Sequence, residues 1–200
     1  MALRLFLGLV IAGILAGAEG TQDSVGRRTI TVADIDGVRR TPFALDAGQF
    51  ALLFYVLDDC PVSNQYSLEI QRICGEYSPR GVRCFLVYVD PTLSAERIRK
   101  HLREYGHTGY PAIQDSRHEL VKATGASVTP EAALVDAAGR IVYRGRIDDS
   151  YQTWGQARRH VTERDLRTAL DAAITGRPIP NPRTKAVGCY IAPLDVYLKE

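Results

Sequence analysis

An apolar run that ends in two acids, a cysteine and a proline constrains the fold of this chain more than any other segment. The run, residues 50–57 (FALLFYVL), indicates a strand buried on both faces of a sheet. After Pro61, apolar residues recur with the spacing of a helix, at Tyr66, Ile70, Ile73 and Tyr77. The sequence therefore predicts that Cys60 lies where a central strand passes into a helix, with Pro61 at the first helical position.

The predicted place of Cys60 affects its chemistry in two opposite ways. Free backbone amides and the positive end of a helix dipole favour the thiolate, which is the nucleophilic form. The adjacent Asp58 and Asp59 oppose thiolate formation because they carry negative charge. At this point both a reactive Cys60 and an inert one remain open.

Two motifs together carry a family resemblance. The strand followed by CPVSNQYSLEI resembles the thioredoxin superfamily, and most of all its redoxin branch, the peroxiredoxin-like AhpC/TSA proteins. Residues 128–130 (VTP), followed by a strand, an Asp-x-x-Gly turn and another strand, are similar to the proline loop of that fold. The resemblance covers about residues 30–174. It implies a cis peptide bond before Pro130, with the backbone of Thr129 beside Cys60.

The order of the segments predicts an α/β class. A hairpin around Asp36-Gly37 precedes strands and helices that alternate, which is typical of a central, mostly parallel sheet flanked by helices. The resemblance makes this a thioredoxin-like fold with an N-terminal hairpin. The chain divides into a leader (1–18), a lead-in (19–28), the thioredoxin-like domain (29–176) and a proline-rich tail (177–200) that holds Cys189.

The leader has the pattern of a secretory signal. A short positive start precedes an apolar stretch at residues 5–15, and small residues at 16–18 suit cleavage after Ala18. We therefore expect export to the periplasm or the medium, where disulfides persist. An uncleaved membrane anchor is the alternative, and only then would the protein contact a membrane. The net charge of +2, without a basic block, gives no indication of a nucleic-acid partner.

The resemblance implies a thiol-dependent oxidoreductase that acts on a protein thiol or disulfide, or on a peroxide. Cys60 would be its nucleophile, no cofactor or metal would be needed, and the reducing partner is left open. Ser63 replaces the second cysteine of thioredoxins, which excludes a disulfide within the turn and makes Ser63 a candidate hydrogen-bond donor to the thiolate. The expected supporting residues of the site are Pro61, Ser63, Thr129 and Pro130.

The sequence differs from those of peroxiredoxins and copper chaperones at positions near the predicted site. Leu57 stands where peroxiredoxins carry threonine or serine, Pro130 where they carry an arginine, and Asn64 where copper chaperones carry a second cysteine. The four histidines show no ligand spacing and are expected to be surface residues. A redox-inactive thioredoxin-fold binding module is therefore the alternative function.

The remaining cysteines fall into two groups. Cys74 and Cys84 lie on apolar faces and are expected to be small buried hydrophobes, with a disulfide between them as the less favoured alternative. Cys189 lies beyond a proline-rich stretch that predicts a mobile, extended arm, and the residues after Gly176 could span up to ~40 Å. By resemblance to peroxiredoxins, Cys189 is a candidate resolving cysteine that forms a disulfide with Cys60, within one chain or between two. Local packing or a chance bridge between chains is the alternative.

Overall fold

A computed structural model describes residues 30–197 of the chain. The leader (1–18) and the lead-in (19–28) lie outside the described residues, so signal cleavage after Ala18 stays a prediction. Within residues 30–197, no helix combines the length and the apolar character needed to cross a membrane.

Strands and helices alternate through the middle of the chain, as the sequence predicts. In chain order the elements are β1 (Val32–Ala33), β2 (Arg39–Arg40), β3 (Phe50–Val56), α1 (Pro61–Gln65), α2 (Ser67–Tyr77), a 3-10 turn (Ser78–Arg80), β4 (Val82–Tyr88), α3 (Ala95–Glu104), β5 (Ala112–Gln114), α4 (Glu119–Thr124), β6 (Val128–Thr129), β7 (Glu131–Asp136), β8 (Ile141–Gly145), β9 (Tyr151–Thr153), β10 (Gln156–Ala157), α5 (Asp165–Ile174), β11 (Cys189–Tyr190) and α6 (Leu194–Tyr197).

The main sheet has five strands in the order β5-β4-β3-β7-β8, with β3 at its centre. The β3–β4 and β4–β5 pairs are parallel, whereas the β3–β7 and β7–β8 pairs are antiparallel. The predicted α/β class is confirmed, but the sheet is mixed rather than mostly parallel. The sheet is mixed because β7 begins at the carboxyl end of β3, where Glu131 lies opposite Tyr55. From there β7 runs antiparallel to β3.

The predicted N-terminal hairpin is present, and β1 pairs with β2 in the antiparallel direction. The buried carboxylate of Asp34 organises its turn by accepting hydrogen bonds from the backbone N–H of Asp36 at 3.0 Å and of Val38 at 2.9 Å. The same carboxylate accepts from Arg40 Nε at 2.8 Å. Gly37 lies in the left-handed region (φ 79°), which accounts for the Asp-Gly signal in the sequence.

The helix predicted over residues 61–77 is broken at Tyr66. The backbone N–H of Tyr66 is shared between the carbonyls of Val62 at 3.3 Å and Ser63 at 3.1 Å, which tightens the turn that ends α1. The Tyr66 hydroxyl donates to the Asp148 carboxylate at 2.6 Å. As a result, the helix that begins after Cys60 has only five residues. The helix whose dipole was expected to favour the Cys60 thiolate is therefore a short one.

The proline-rich tail is extended as predicted, but it is docked on the sheet rather than free. The backbone of Arg144 in β8 donates to Pro182 at 3.0 Å and accepts from Thr184 at 3.1 Å. The Thr184 hydroxyl also contacts the Tyr143 hydroxyl at 2.7 Å and accepts from the Arg146 N–H at 3.1 Å. The tail thus pairs with the backbone groups that an edge strand leaves unsatisfied.

Candidate redox site

Cys60 lies at the junction that the sequence predicts, after β3 and before α1. Its backbone is extended (φ −80°, ψ 111°) at the N-cap of the helix, and Pro61 occupies the first turn. The side chain of Cys60 is fully buried, with 0% of its surface exposed. In this state the sulfur is inaccessible to a second molecule.

A disulfide joins Cys60 to Cys189 within the chain. Their Cα atoms are 6.1 Å apart, which is an ordinary separation for a disulfide. This is the pairing that the resemblance implied for Cys189, in its intramolecular form. The bond connects the strand–helix turn of the domain to a tail residue 129 positions further along the chain.

The disulfide is supported by a short strand pair between the tail and the proline loop. In β11, Cys189 pairs with Thr129 and Tyr190 pairs with Val128 of β6, in the antiparallel direction. The Thr129–Pro130 peptide bond is cis, as predicted, and the Thr129 carbonyl oxygen lies 3.3 Å from the Cys60 sulfur. The structure therefore brings together Cys60, Thr129, Pro130 and Cys189.

Gly188 is a residue of the site whose role the sequence analysis missed. A β-carbon at this position would collide with the carbonyl of Thr129 and would lie 3.2 Å from Pro130 Cδ. Only glycine therefore allows the tail backbone to approach the proline loop this closely. The available signal was a glycine directly before the tail cysteine, which suggested flexibility rather than close contact.

Ser63 is buried, with 2% of its surface exposed, and lies on α1 next to the site. Within the described part of the chain, its hydroxyl has no hydrogen-bond partner, and the same is true of Ser67 one turn later. The expected bond from Ser63 to Cys60 concerns the reduced thiolate, so it stays a prediction. Pro61, by contrast, is exposed beside the buried cysteine.

Polar residues behind the Cys60 turn were also missed. Asn64 Nδ2 donates to the Asp58 carbonyl at 2.9 Å, and Asn64 Oδ1 lies 2.8 Å from His101 Nε2. His101 Nδ1 lies 2.7 Å from the Tyr88 hydroxyl. The prediction that His101 is a surface residue is wrong, because α3 turns it inward together with Ile98. Its spacing of three from that apolar residue was the available signal.

Two other histidines are also buried, contrary to the sequence prediction. His107 contacts the Tyr110 hydroxyl at 2.6 Å, and His118 contacts the Val89 carbonyl at 2.7 Å. Burial lowers the pKa of His107 to about 4, with a further contribution from neighbouring His101. These rings are held by polar partners in the core, which hydropathy patterns do not reveal.

Cys74 and Cys84 are free and buried, as predicted, and the alternative disulfide between them is not formed. Burial raises the pKa of the Cys74 thiol, and the neighbouring Cys84 raises it further. Both thiols are buried, so they lack the exposure of a reactive cysteine. In residues 30–197, no group of three or more histidine, cysteine or acidic side chains is arranged to hold a metal ion.

The central mixed sheet, the cysteine at the strand–helix junction and the facing cis-proline loop together define a thioredoxin-like redoxin. Comparison with family models agrees with this class. Residues 29–144 match the model of the AhpC/TSA family, and the chain belongs to that family. Cys189 lies beyond the matched residues, so the family match by itself contains only one partner of the disulfide.

Solved structures share the fold. A hypothetical protein from Sinorhizobium meliloti is 26% identical, with a TM-score of 0.70 over 86% of this chain and 92% of that one. An uncharacterized conserved protein from Geobacillus kaustophilus is 28% identical, with a TM-score of 0.70 over 86% and 93%. DsbF of MTB, solved in mixed oxidized and reduced forms, is 15% identical, with a TM-score of 0.54 over 72% and 95%. At that identity, the likeness to DsbF shows the fold alone. No curated protein matches the chain.

Proposed function

We propose that the protein is a thiol–disulfide oxidoreductase in which Cys60 is the nucleophile and Cys189 is the resolving cysteine. The observation that carries this proposal is the Cys60–Cys189 disulfide, which joins the family's cysteine position to a second thiol outside the domain. Membership in the AhpC/TSA family supports thiol chemistry at this position. The buried, unreactive environment of Cys74 and Cys84 leaves these two residues outside the reaction.

The reaction has two exchange steps. In the reduced protein, the Cys60 thiolate attacks one sulfur of a substrate disulfide, which forms a mixed disulfide and releases the other substrate sulfur as a thiolate. The Cys189 thiolate then attacks the Cys60 sulfur, and the second substrate sulfur leaves. The substrate gains two electrons, and the chain is left with the Cys60–Cys189 disulfide. In reverse, the disulfide form oxidises a pair of protein thiols.

Access to Cys60 requires the end of the tail to leave the proline loop. The tail is held in two places: at Thr184, against β8, and at β11, against β6. The second contact covers Cys60. Outside the disulfide it includes a two-residue strand pair, a bond from the Ile191 N–H to Ser127 at 3.0 Å and the buried side chain of Ile191. Reduction of the disulfide can therefore release the cover while the anchor at Thr184 remains.

A peroxide is the second candidate electrophile, and family membership favours it. Disulfide exchange is preferred here because Leu57 and Pro130 occupy the positions where the resemblance places a threonine or serine and an arginine. Those groups assist peroxide cleavage in peroxiredoxins, whereas exchange at sulfur needs chiefly an accessible thiolate and a leaving thiol.

The test compares the parent with single cysteine variants. The reduced protein is mixed with glutathione disulfide or, separately, with hydrogen peroxide, and the products are mapped by mass spectrometry. Cys60→Ser should abolish both reactions. Cys189→Ser should stop at a mixed disulfide with glutathione, and at a sulfenic acid on Cys60 with hydrogen peroxide. Cys74→Ser and Cys84→Ser are the matched controls and should react like the parent. An unreactive Cys60 in the reduced parent would instead support a redox-inactive binding module whose disulfide only fastens the tail.

We also propose that the protein is exported and that its partners are protein thiols or disulfides outside the cytosol. The leader pattern of residues 1–18 supports export, and a disulfide in the folded chain suits an oxidising compartment. The mature protein recovered from periplasm or medium should begin at Glu19. Recovery of the intact chain with Met1 from the cytosol would contradict export, and recovery from the membrane would support the uncleaved anchor.

A further inference from the structure

Asn64 is bonded to the backbone before Cys60 as well as to Cys60 itself. It lies one helical turn after the cysteine, and its backbone N–H donates to the Cys60 carbonyl at 3.0 Å. Its side-chain amide reaches further back and donates to the Asp58 carbonyl at 2.9 Å. One side chain therefore ties the start of α1 to the loop that precedes it, and Cys60 lies between the two attachment points.

The Asn64 amide is itself held from α3 and from the sheet. The oxygen of the amide can only accept, so His101 Nε2, at 2.8 Å, must carry the hydrogen. In the neutral ring, Nδ1 then accepts from the Tyr88 hydroxyl at 2.7 Å. The chain of bonds thus places a hydrogen on His101 Nε2 and anchors the ring to β4, the strand next to β3.

Burial makes this chain of bonds stiff. Tyr88 is fully buried, His101 is 5% exposed, and the two rings meet edge to face with their centroids 5.5 Å apart. The ring of Tyr105 covers His101 from the other side at 4.6 Å. The bond between Tyr88 and His101 is shielded from water, so it is costly to break, whereas the two side-chain bonds of Asn64 are partly buried.

The charges around His101 come from two elements. Asp58, which is paired with Arg97, and Glu104, which is near Lys100, both favour a charged ring. The ring of His107 lies 6.1 Å away and is itself neutral and buried. Burial is the largest effect on His101, and its pKa is lowered overall. The ring is therefore neutral at neutral pH, and its Nδ1 is then free to accept from the Tyr88 hydroxyl.

We propose that Asn64 is a positioning residue for Cys60, and that neutral His101, bonded to Tyr88, holds Asn64 in place. The inference rests on the proposed function, because it concerns how the Cys60 sulfur is aimed during exchange. Loss of the side-chain bonds frees the Asp58–Cys60 loop to move against the proline loop. The thiolate then spends less time in the orientation that reacts.

The experiment measures the alkylation of Cys60 by iodoacetamide against pH, in reduced protein carrying Cys189→Ser. Asn64→Ala and His101→Ala should each slow the reaction about fivefold, which corresponds to the loss of about one net hydrogen bond. His101→Gln can still donate to the Asn64 oxygen and should recover most of the rate.

His107→Ala is the matched control, since His107 is equally buried but bonds Tyr110 instead of Asn64. It should lower the melting temperature without slowing the alkylation of Cys60. The double variant Asn64→Ala/His101→Ala should react no more slowly than Asn64→Ala, because His101 acts on Cys60 only through Asn64.

The outcomes separate this inference from the proposed function. A Cys60 that does not react in the parent defeats the proposed function itself. A reactive parent whose rate and pH profile are unchanged by Asn64→Ala overturns the positioning role alone. The positioning role is equally overturned if His107→Ala slows Cys60 as much as His101→Ala does, because the effect is then one of general stability.

Discussion

Replacing Gly188 by alanine should weaken the Cys60–Cys189 disulfide without altering either cysteine. The new methyl group would collide with the Thr129 carbonyl, so the tail strand must move away from β6. Overpacking of this kind costs about 1–3 kcal/mol. For a two-electron couple, that range raises the reduction potential of the disulfide by about 20–65 mV, since 30 mV corresponds to ~1.4 kcal/mol.

The assay is a redox titration of the protein in glutathione buffers, with the fraction of disulfide read by alkylation and mass spectrometry. Gly75→Ala is the control, because Gly75 is an exposed helical residue in α2 where a β-carbon meets no atom within 4 Å. It should keep the potential of the parent and slightly stabilise the helix.

The reasoning is refuted if Gly188→Ala and Gly75→Ala titrate at the same potential as the parent. In that case the close approach between the tail and the proline loop has no energetic consequence for the disulfide. If the potential rises only in Gly188→Ala, the strand pair between β11 and β6 contributes to holding Cys189 against Cys60.

Three further predictions follow from the buried groups and the anchored tail. Burial lowers the pKa of His107 to about 4, and it also lowers the pKa of His101. The unfolded chain therefore binds protons at these two rings more readily than the folded chain does, so the free energy of unfolding decreases as the pH falls below 6.5. Between about pH 7.5 and pH 5 the loss from His107 should be about 2 kcal/mol in urea unfolding, and His107→Asn should flatten this dependence; a parent with equal stability at both pH values would contradict it. Thr184→Val removes two hydrogen bonds that anchor the tail beside β8, which should weaken the docking of the tail by about 1–2 kcal/mol. In the reduced protein the tail should then be cleaved faster by a protease. An unchanged cleavage rate would show that the anchor is weak. Cys74 and Cys84 should resist alkylation in the folded, reduced protein and react once urea is added, and rapid labelling without urea would show that the core is open.

Hydropathy and turn chemistry determined most of the domain from the sequence alone. The apolar run at residues 50–57 required a central strand, and Asp36-Gly37 required a hairpin; both are present. The resemblance then placed Cys60 beside Pro130 and implied its pairing with Cys189, which the structure contains. The strand, the hairpin and the facing of Cys60 and Pro130 were predictable because each depends on residues that are close together in the sequence or on a motif of fixed order.

Tertiary structure alone decided how the tail and the polar core are arranged. The tail looked free because the groups that hold it, such as the backbone of Arg144, belong to a sheet edge far away in the sequence. His101 looked like a surface residue because its partners, Tyr88 and Asn64, come from two other elements. Gly188 is constrained by the Thr129 carbonyl, and no local sequence pattern indicates that contact. Long-range hydrogen bonds and close backbone contacts are properties of the folded geometry, and hydropathy carries no information about them.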